Sequence, residues 1–206
     1  MQELGRKGAA TRQAILDAAR GVFTESGYDA GVREIAERAG VTAMLVNRYF
    51  GSKEQLFEEV VDTVLSAPGI LTRETMNDAP DLATLCREVA GALLARTSPA
   101  STPMDGFLIL LRSSNNPQAT AILRKKIDTH FARPLAALLP GTDAAQRAAV
   151  FLAVIAGVQL MRQVIDVPSL RRATPERLGR QLEALLVVAL ETPDGSRVSG
   201  RAGAGK

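Results

Sequence analysis

Residues 32–57 read VREIAERAGVTAMLVNRYFGSKEQLF, and turn signals cut them into three pieces. Val32, Ile35, Ala36 and Ala39 share one face of a short helix that Gly40 ends. Thr42 is an N-cap for a second short helix, with Val46 and Phe50 on its inner side and Gly51 at its end. Ser52, with Gln55 three residues later, makes a capping box for a third helix carrying Leu56, Val60, Val61 and Val64. Two short helices joined by a tight turn at Gly40 are the layout of a helix-turn-helix, placed here at about 31–50. In that layout the first helix crosses a phosphate backbone and props the second, which keeps one face free for a major groove.

Upstream, Thr11 is positioned to cap a helix with Ile15, Ala19, Val22 and Phe23 on one stripe, and Gly27 stops it. Residues 1–8, with Arg6 and Lys7, are expected as a flexible basic arm. Downstream, Pro68 and Gly69 end a linking helix over 53–67. Helical patterns then return near 81–97, from Met104 to Leu111, and from the Asn116–Pro117 start through Phe131. Pro134 is expected to kink or split that last pattern. A long apolar helix from about Asp143 to Ile165 and a final one opened by Thr174–Pro175 complete the chain, and the Gly/Ser/Ala-rich tail 192–206 is expected to be disordered. No stretch alternates with period two, so the fold class is all-α: a head over 9–52, the linking helix, and a helical body over 68–191.

The 206 residues are 46% hydrophobic and 23% charged, enough apolar material for an ordinary core. One cysteine (Cys86) and one histidine (His130) exclude an internal disulfide and a Cys-based zinc site. Nothing pairs a nucleophile with a base and there is no glycine-rich phosphate loop, so no catalytic residue, cofactor or metal is expected. The uncharged run Ala148–Met161 would span roughly 21 Å as a helix, short of the roughly 30 Å of a bilayer core, and reads as a buried helix. With no signal-peptide pattern at the N-terminus, the cytoplasm is the expected compartment and no membrane partner is expected. The net charge of +3 permits an anionic partner.

The wheel of the 43–50 helix identifies its free face. With Val46 inward, Met44, Asn47 and Arg48 lie roughly 100–200° away. Asn pairs in bidentate fashion with adenine and Arg with guanine. Tyr49 and Lys53 sit where a hydroxyl and an ammonium reach phosphates, beside the amide donors opening the helix at Ser52–Lys53.

TRQAILDAARGVF (11–23), REIAERAGVT (33–42) and RYFGSKEQLF (48–57), in this order and spacing, resemble the N-terminal domain of TetR-type transcriptional repressors over about 9–66. NPQATAILRKKIDTHFARPLAALL (116–139) is similar to a stretch common in such regulators. The resemblance implies a dimeric repressor released from a palindromic double-stranded DNA operator by a small effector, here expected to be lipophilic. It places operator contacts on Thr42, Ala43, Met44, Asn47, Arg48, Tyr49 and Lys53. It implies a pocket within about 81–139, for which Met104, Phe107, Leu108, Leu111, Arg112, Leu123, Ile127 and Phe131 are the candidates. It also implies a homodimer built on the last two long helices, with Phe151, Val154, Ile155, Val158, Leu182, Leu185 and Leu186 at the interface.

Three positions depart from the family pattern. Gly31 stands where a threonine is usual, behind a loop one residue shorter; Asn47 stands where tyrosine is usual and Ala43 where lysine is frequent; and Met44 and Leu45 replace Gly and Thr. The base-reading surface is therefore this chain's own. The competing reading is a small-molecule binding protein with a residual helix-turn-helix and no strong operator binding.

Overall fold

The computed structural model describes residues 2–98, 100–102 and 104–191, and the expected tail 192–206 lies outside them. In chain order the helices are α1 (Gln2–Ser26), α2 (Val32–Ala39), α3 (Ala43–Phe50), α4 (Lys53–Ser66), α5 (Arg73–Asp78) and α6 (Leu82–Arg96). They continue as α7 (Asp105–Ser113), α8 (Pro117–Ile127), α9 (Arg133–Ala137), α10 (Ala144–Gln159), α11 (Pro168–Arg171) and α12 (Pro175–Leu190). Helix α1 begins at Gln2, so it takes in the residues expected as a flexible arm, and Thr11 lies inside it rather than at its cap. Gln, Glu, Leu, Arg and Lys are all good helix formers, and Gly5 and Gly8 alone do not interrupt the run.

The caps read at Thr42, Ser52 and Asn116 are present, whereas Thr174 opens α12 without a side-chain bond. Thr42 accepts from the Leu45 N–H at 3.3 Å and Ser52 from the Gln55 N–H at 3.2 Å. Asn116 accepts from the N–H groups of Gln118 and Ala119. Gly31 begins α2 with no side-chain cap. Pro134 neither splits nor ends its helix. One wide π turn, Asp128–Ala132, links α8 to α9, with the Arg133 N–H donating to the Asp128 carbonyl. The inserted residue lets the helix pass a proline that has no N–H and would crowd the turn before it.

Two cores form, and their border is not the one expected between 67 and 68. The first holds α1–α4 together around Ile15, Phe23, Ile35, Val46 and Phe57, and it also takes Ile109 of α7 with Ala119 and Leu123 of α8. Phe57 meets Phe23 and Tyr28 edge-on, at 5.0 and 4.8 Å between ring centroids. The second core joins α5, α6, α9, α10 and α12 around Met76, Cys86, Leu93, Leu135, Phe151 and Leu186. The α7–α8 pair therefore belongs to the body in sequence and to the head in packing.

The junction of α1 with α7 explains the short loop after α1. Gly27 has φ +71°, and a Cβ there would stand 2.5 Å from the Arg112 carbonyl oxygen, so only glycine lets the two helices meet. Tyr28 N–H donates to Ser113 Oγ at 2.9 Å and Asn116 Nδ2 to Asp29 Oδ1 at 2.7 Å. Arg112, one of the pocket candidates, instead donates to the Thr24 carbonyl of α1.

Helix α10 and its π turn Leu160–Val164 form a 21-residue run, Ala144–Val164, long and apolar enough to cross a membrane by length and composition, longer than the stretch picked out by sequence. In the fold its Phe151–Ile155–Gln159 line is buried, and α9 and α12 pack along it. Arg147, also buried, bonds Asp143 Oδ1 at 3.1 Å and the carbonyls of Pro140 and Leu190. Four residues expected at a dimer interface are thus corrected: Phe151, Ile155, Leu182 and Leu186 fill the subunit's own core. Val154 and Val158 are half-buried against that core. Leu185, 54% exposed, stays on the outside of α12 with Val188 at 67%, and α10 with its π turn leaves Val150, Met161 and Val164 exposed.

Candidate nucleic-acid interface and effector cavity

Helix α3 is held from behind. Val46 and Phe50 are buried in the head core, while Ala43 and Tyr49 are half-buried against it. That leaves Thr42, Met44, Asn47 and Arg48 exposed on the opposite side, Met44 at 80%. The wheel angles therefore match the fold, with Ala43 and Tyr49 turned further inward than base-reading residues need. Among the described residues Arg48 is in no ion pair, and Val41–Lys53 contains no carboxylate. A free guanidinium and a free amide side by side on an exposed, acid-free helix are a matched set for base edges.

Lys53, in the first turn of α4, extends over the Tyr28 ring, with Nζ 4.4 Å from its centroid. Tyr28 also bonds Glu54 at 3.1 Å through its hydroxyl. Burial, reinforced by Glu54, pushes that phenol up to about 12, so it stays protonated. Lys53 thus stands on a neutral platform at the N-terminus of α4, beside the amide donors that Ser52 leaves free. Arg38 clasps Glu25 through two bonds of 2.8 and 2.6 Å, and Arg12 bonds Glu59 at 2.5 Å while its guanidinium lies over the Phe50 ring at the end of α3. These pairs tie α2 and α4 to α1 and so fix the platform on which α3 rides.

The link from head to body is ionic as well as apolar. Lys126 of α8 lies 2.5 Å from Asp62 Oδ2 and 3.6 Å from Glu58 Oε2, both on α4. His130 Nε2, in the π turn, is 2.9 Å from Asp62 Oδ1. Burial works against the Asp62 charge, yet the hydrogen bonds from Lys126 and His130 outweigh it and hold the carboxyl below its ordinary value. His130 is thereby accounted for as part of the α4–α8 joint. Cys86 is fully buried, and burial pushes its thiol up to about 11, which leaves it inert.

A cavity of about 450 Å³ opens between α7, α8 and α10, lined by Leu110, Leu123, Ile127, Ala132, Ala149 and Leu152, with Arg124 and Asp128 among its polar neighbours. Of the eight pocket candidates only Leu123 and Ile127 line it. Phe107 is buried elsewhere, Leu108 and Leu111 are half-buried off its wall, and Met104 and Phe131 pack on the second core. The sequence pattern located the helices that form the cavity but not α10, whose far wall is contributed from thirty residues downstream. Leu123 belongs both to the cavity wall and to the head core.

Residues 15–60 match the family model described as bacterial regulatory proteins, tetR family, and residues 83–190 match the tetracyclin repressor-like C-terminal domain. No curated protein matches the chain. A TetR-family regulator from Streptomyces coelicolor is 26% identical, with a TM-score of 0.56 over 87% of this chain and 94% of that one. A transcriptional regulator from Rhodococcus is also 26% identical, with a TM-score of 0.59 over 87% and 95%. NalD, the secondary repressor of the MexAB-OprM multidrug efflux pump in Pseudomonas aeruginosa, shares the fold at 22% identity and a TM-score of 0.56, over 89% and 98%. A helix-turn-helix head with a free α3 face, an all-helical body and two family matches that between them run from residue 15 to 190 lead to one conclusion: this chain belongs to the TetR family of bacterial transcriptional regulators.

Proposed function

We propose that the protein is a homodimeric repressor that reads a near-palindromic operator through α3 and is released from it by a small molecule bound in the body. The observation that carries this reading is the exposed, acid-free face of α3 with Asn47 and Arg48 at its centre. Met44 supplies an apolar contact for thymine methyls, Thr42 and Lys53 supply phosphate contacts, and Tyr49 braces the helix. Dimerisation is supported by Val150, Met161, Val164, Leu185 and Val188, which leave an apolar surface along α10 and α12 that water covers poorly. Two copies joined there place two α3 helices on one side of a duplex, and an operator requires them about 34–36 Å apart. A protein that works on bacterial chromosomal DNA acts in the cytoplasm.

Effector release is supported by the position of α8. One of its faces lies in the head core at Leu123, another lines the cavity, and Lys126 grips α4. A ligand that shifts α8 must therefore act on the head, and by linkage operator DNA weakens that ligand's binding by the same factor. Selection of bound fragments from random duplex DNA is expected to return two half-sites one helical turn apart, and Arg48→Ala is expected to weaken binding to them by about 1–3 kcal/mol. Wild-type affinity in that variant, or binding with no sequence preference, defeats the reading in favour of a ligand-binding protein with a residual helix-turn-helix.

A further inference from the structure

Helix α10 and the π turn that extends it carry two inward arginines with opposite circumstances. Arg147 is fully paired, with the Asp143 carboxylate and two carbonyls around its guanidinium. Arg162 is not. Its Nη1 donates to Thr97 Oγ1 at 2.5 Å and reaches Leu94 O at 3.5 Å, both at the end of α6. Its Nε is buried without an acceptor, and among the described residues no carboxylate pairs with it. Burial accordingly draws this guanidinium below its ordinary value.

One turn earlier Gln159, only 5% exposed, buries an amide nitrogen that also has no acceptor. Thr97 Oγ1 donates its hydrogen to Leu93 O at 2.6 Å and accepts from Arg162 Nη1, and it bonds neither the Arg162 Nε nor the Gln159 amide. Gln163 bonds Arg96 O at 3.0 Å through Nε2 and leaves its Oε1 without a donor, so this stretch holds two orphaned donors, one orphaned acceptor and an uncompensated positive charge. A buried donor left unmade costs about 1–3 kcal/mol, and more when charged. A chain that could neutralise Arg162 with a carboxylate, as it does Arg147, and does not, keeps the position for an anion from outside.

We propose that the half-buried Arg162 and the buried Gln159 form an anion site and that the effector is an organic carboxylate with an apolar body. The apolar part follows from the surroundings. Ile155 and Val158 precede Gln159 on α10, Leu93 and Leu94 lie on the last turn of α6 that Arg162 reaches, and all four are buried or half-buried. The cavity wall at Leu152 lies on the same stripe of α10 as Gln159, seven residues and about 10 Å away along the axis. The assignment deepens the effector reading above and names the chemistry its ligand must have.

Thermal melts and titration calorimetry of the full-length protein, without DNA, with octanoate, 1-octanol and inorganic phosphate as probes, test it. Octanoate at millimolar concentration raises the melting temperature of the wild type; octanol and phosphate bind at least about tenfold more weakly. Arg162→Met, with its buried unpaired charge gone, melts at or above the unliganded wild type and binds octanoate at least about tenfold more weakly. Gln159→Leu is the second variant, expected to behave the same way should Arg162→Met not fold. The proposal is overturned if octanoate fails to protect the wild type, if octanol protects equally, or if both variants keep wild-type octanoate affinity, which would make Arg162 a plain cap for α6. Phosphate as effective as octanoate would also overturn it, as the mark of a free-oxyanion site. Because no DNA is present, failure here leaves operator reading intact.

Discussion

The head and the body of this chain handle their apolar faces in opposite ways. In the head, α1–α4 close around Phe23, Tyr28 and Phe57, the ion pairs sit at the rim, and the face left outside on α3 is mostly polar. The body leaves Val150, Met161, Leu185 and Val188 outside and keeps Arg147, Gln159 and part of Arg162 inside. A region with apolar groups in and polar groups out is finished as it stands. One that exposes large aliphatics and buries unpaired donors is built for molecules it does not itself contain. On the reading proposed above, DNA reading belongs to the head, whose core borrows Ile109, Ala119 and Leu123 from α7 and α8, and association and ligand sensing belong to the body.

The centre of the head core carries the largest single-residue cost. Phe57→Ala removes the ring that both Phe23 and Tyr28 abut, and urea unfolding is expected to show a loss of about 3–5 kcal/mol. A loss near zero would mean that the head is held elsewhere. If the body is incomplete, making its outer face polar should change assembly without unfolding the subunit. Leu185→Glu together with Val188→Glu is expected to give monomers by light scattering, an unchanged helical circular-dichroism spectrum and no operator binding at concentrations where the wild type binds. Dimers persisting in that variant would move the interface off α12.

The joint between the two regions should respond to acid. Asp62 is held below its ordinary value in the folded chain, so its contribution is full above the unfolded carboxylate value and is lost as pH falls through the folded one. The melting temperature of Asp62→Asn should therefore lie below the wild type near neutral pH and converge with it in acid. Parallel curves would show that the α4–α8 joint is apolar only. The smallest effect belongs to Gly31, which starts α2 in an extended conformation with open space around it. Gly31→Thr is expected to stabilise the head by a few tenths of a kcal/mol through a cap. It should also tighten operator binding by adding a hydroxyl beside the backbone phosphates, and weaker binding would show that the short loop has already closed that space.

Much of the head was legible because its signals are local. Thr42 and Ser52 act on the next three residues and Gly40 and Gly51 on the three or four before them, and the side-chain caps at Thr42 and Ser52 are present. The body resisted the same reading for a geometric reason. Helix α10 is apolar around most of its circumference, so periodicity alone does not say which side meets its own chain, and Phe151 and Ile155, expected at a partner, lie in the subunit's own core. The cavity was half legible: Leu123 and Ile127 were named, but Ala149 and Leu152 come from a helix that only folding brings opposite them. Arg162 carries one local signal, a lone charge ending a long apolar run, and a charge at a helix end is ordinarily solvated, so its contact with Thr97 of α6 appears only in the fold.

Helix positions, their starts and stops, and the free face of α3 follow from the amino-acid order, since capping and the 3.6-residue repeat act within one or two turns. The joining of α7 and α8 to the head core, the π turn that carries the chain past Pro134, and the side of α10 left uncovered were decided in three dimensions. Each depends on which distant helix arrives alongside, and a periodic stripe describes only the helix that carries it.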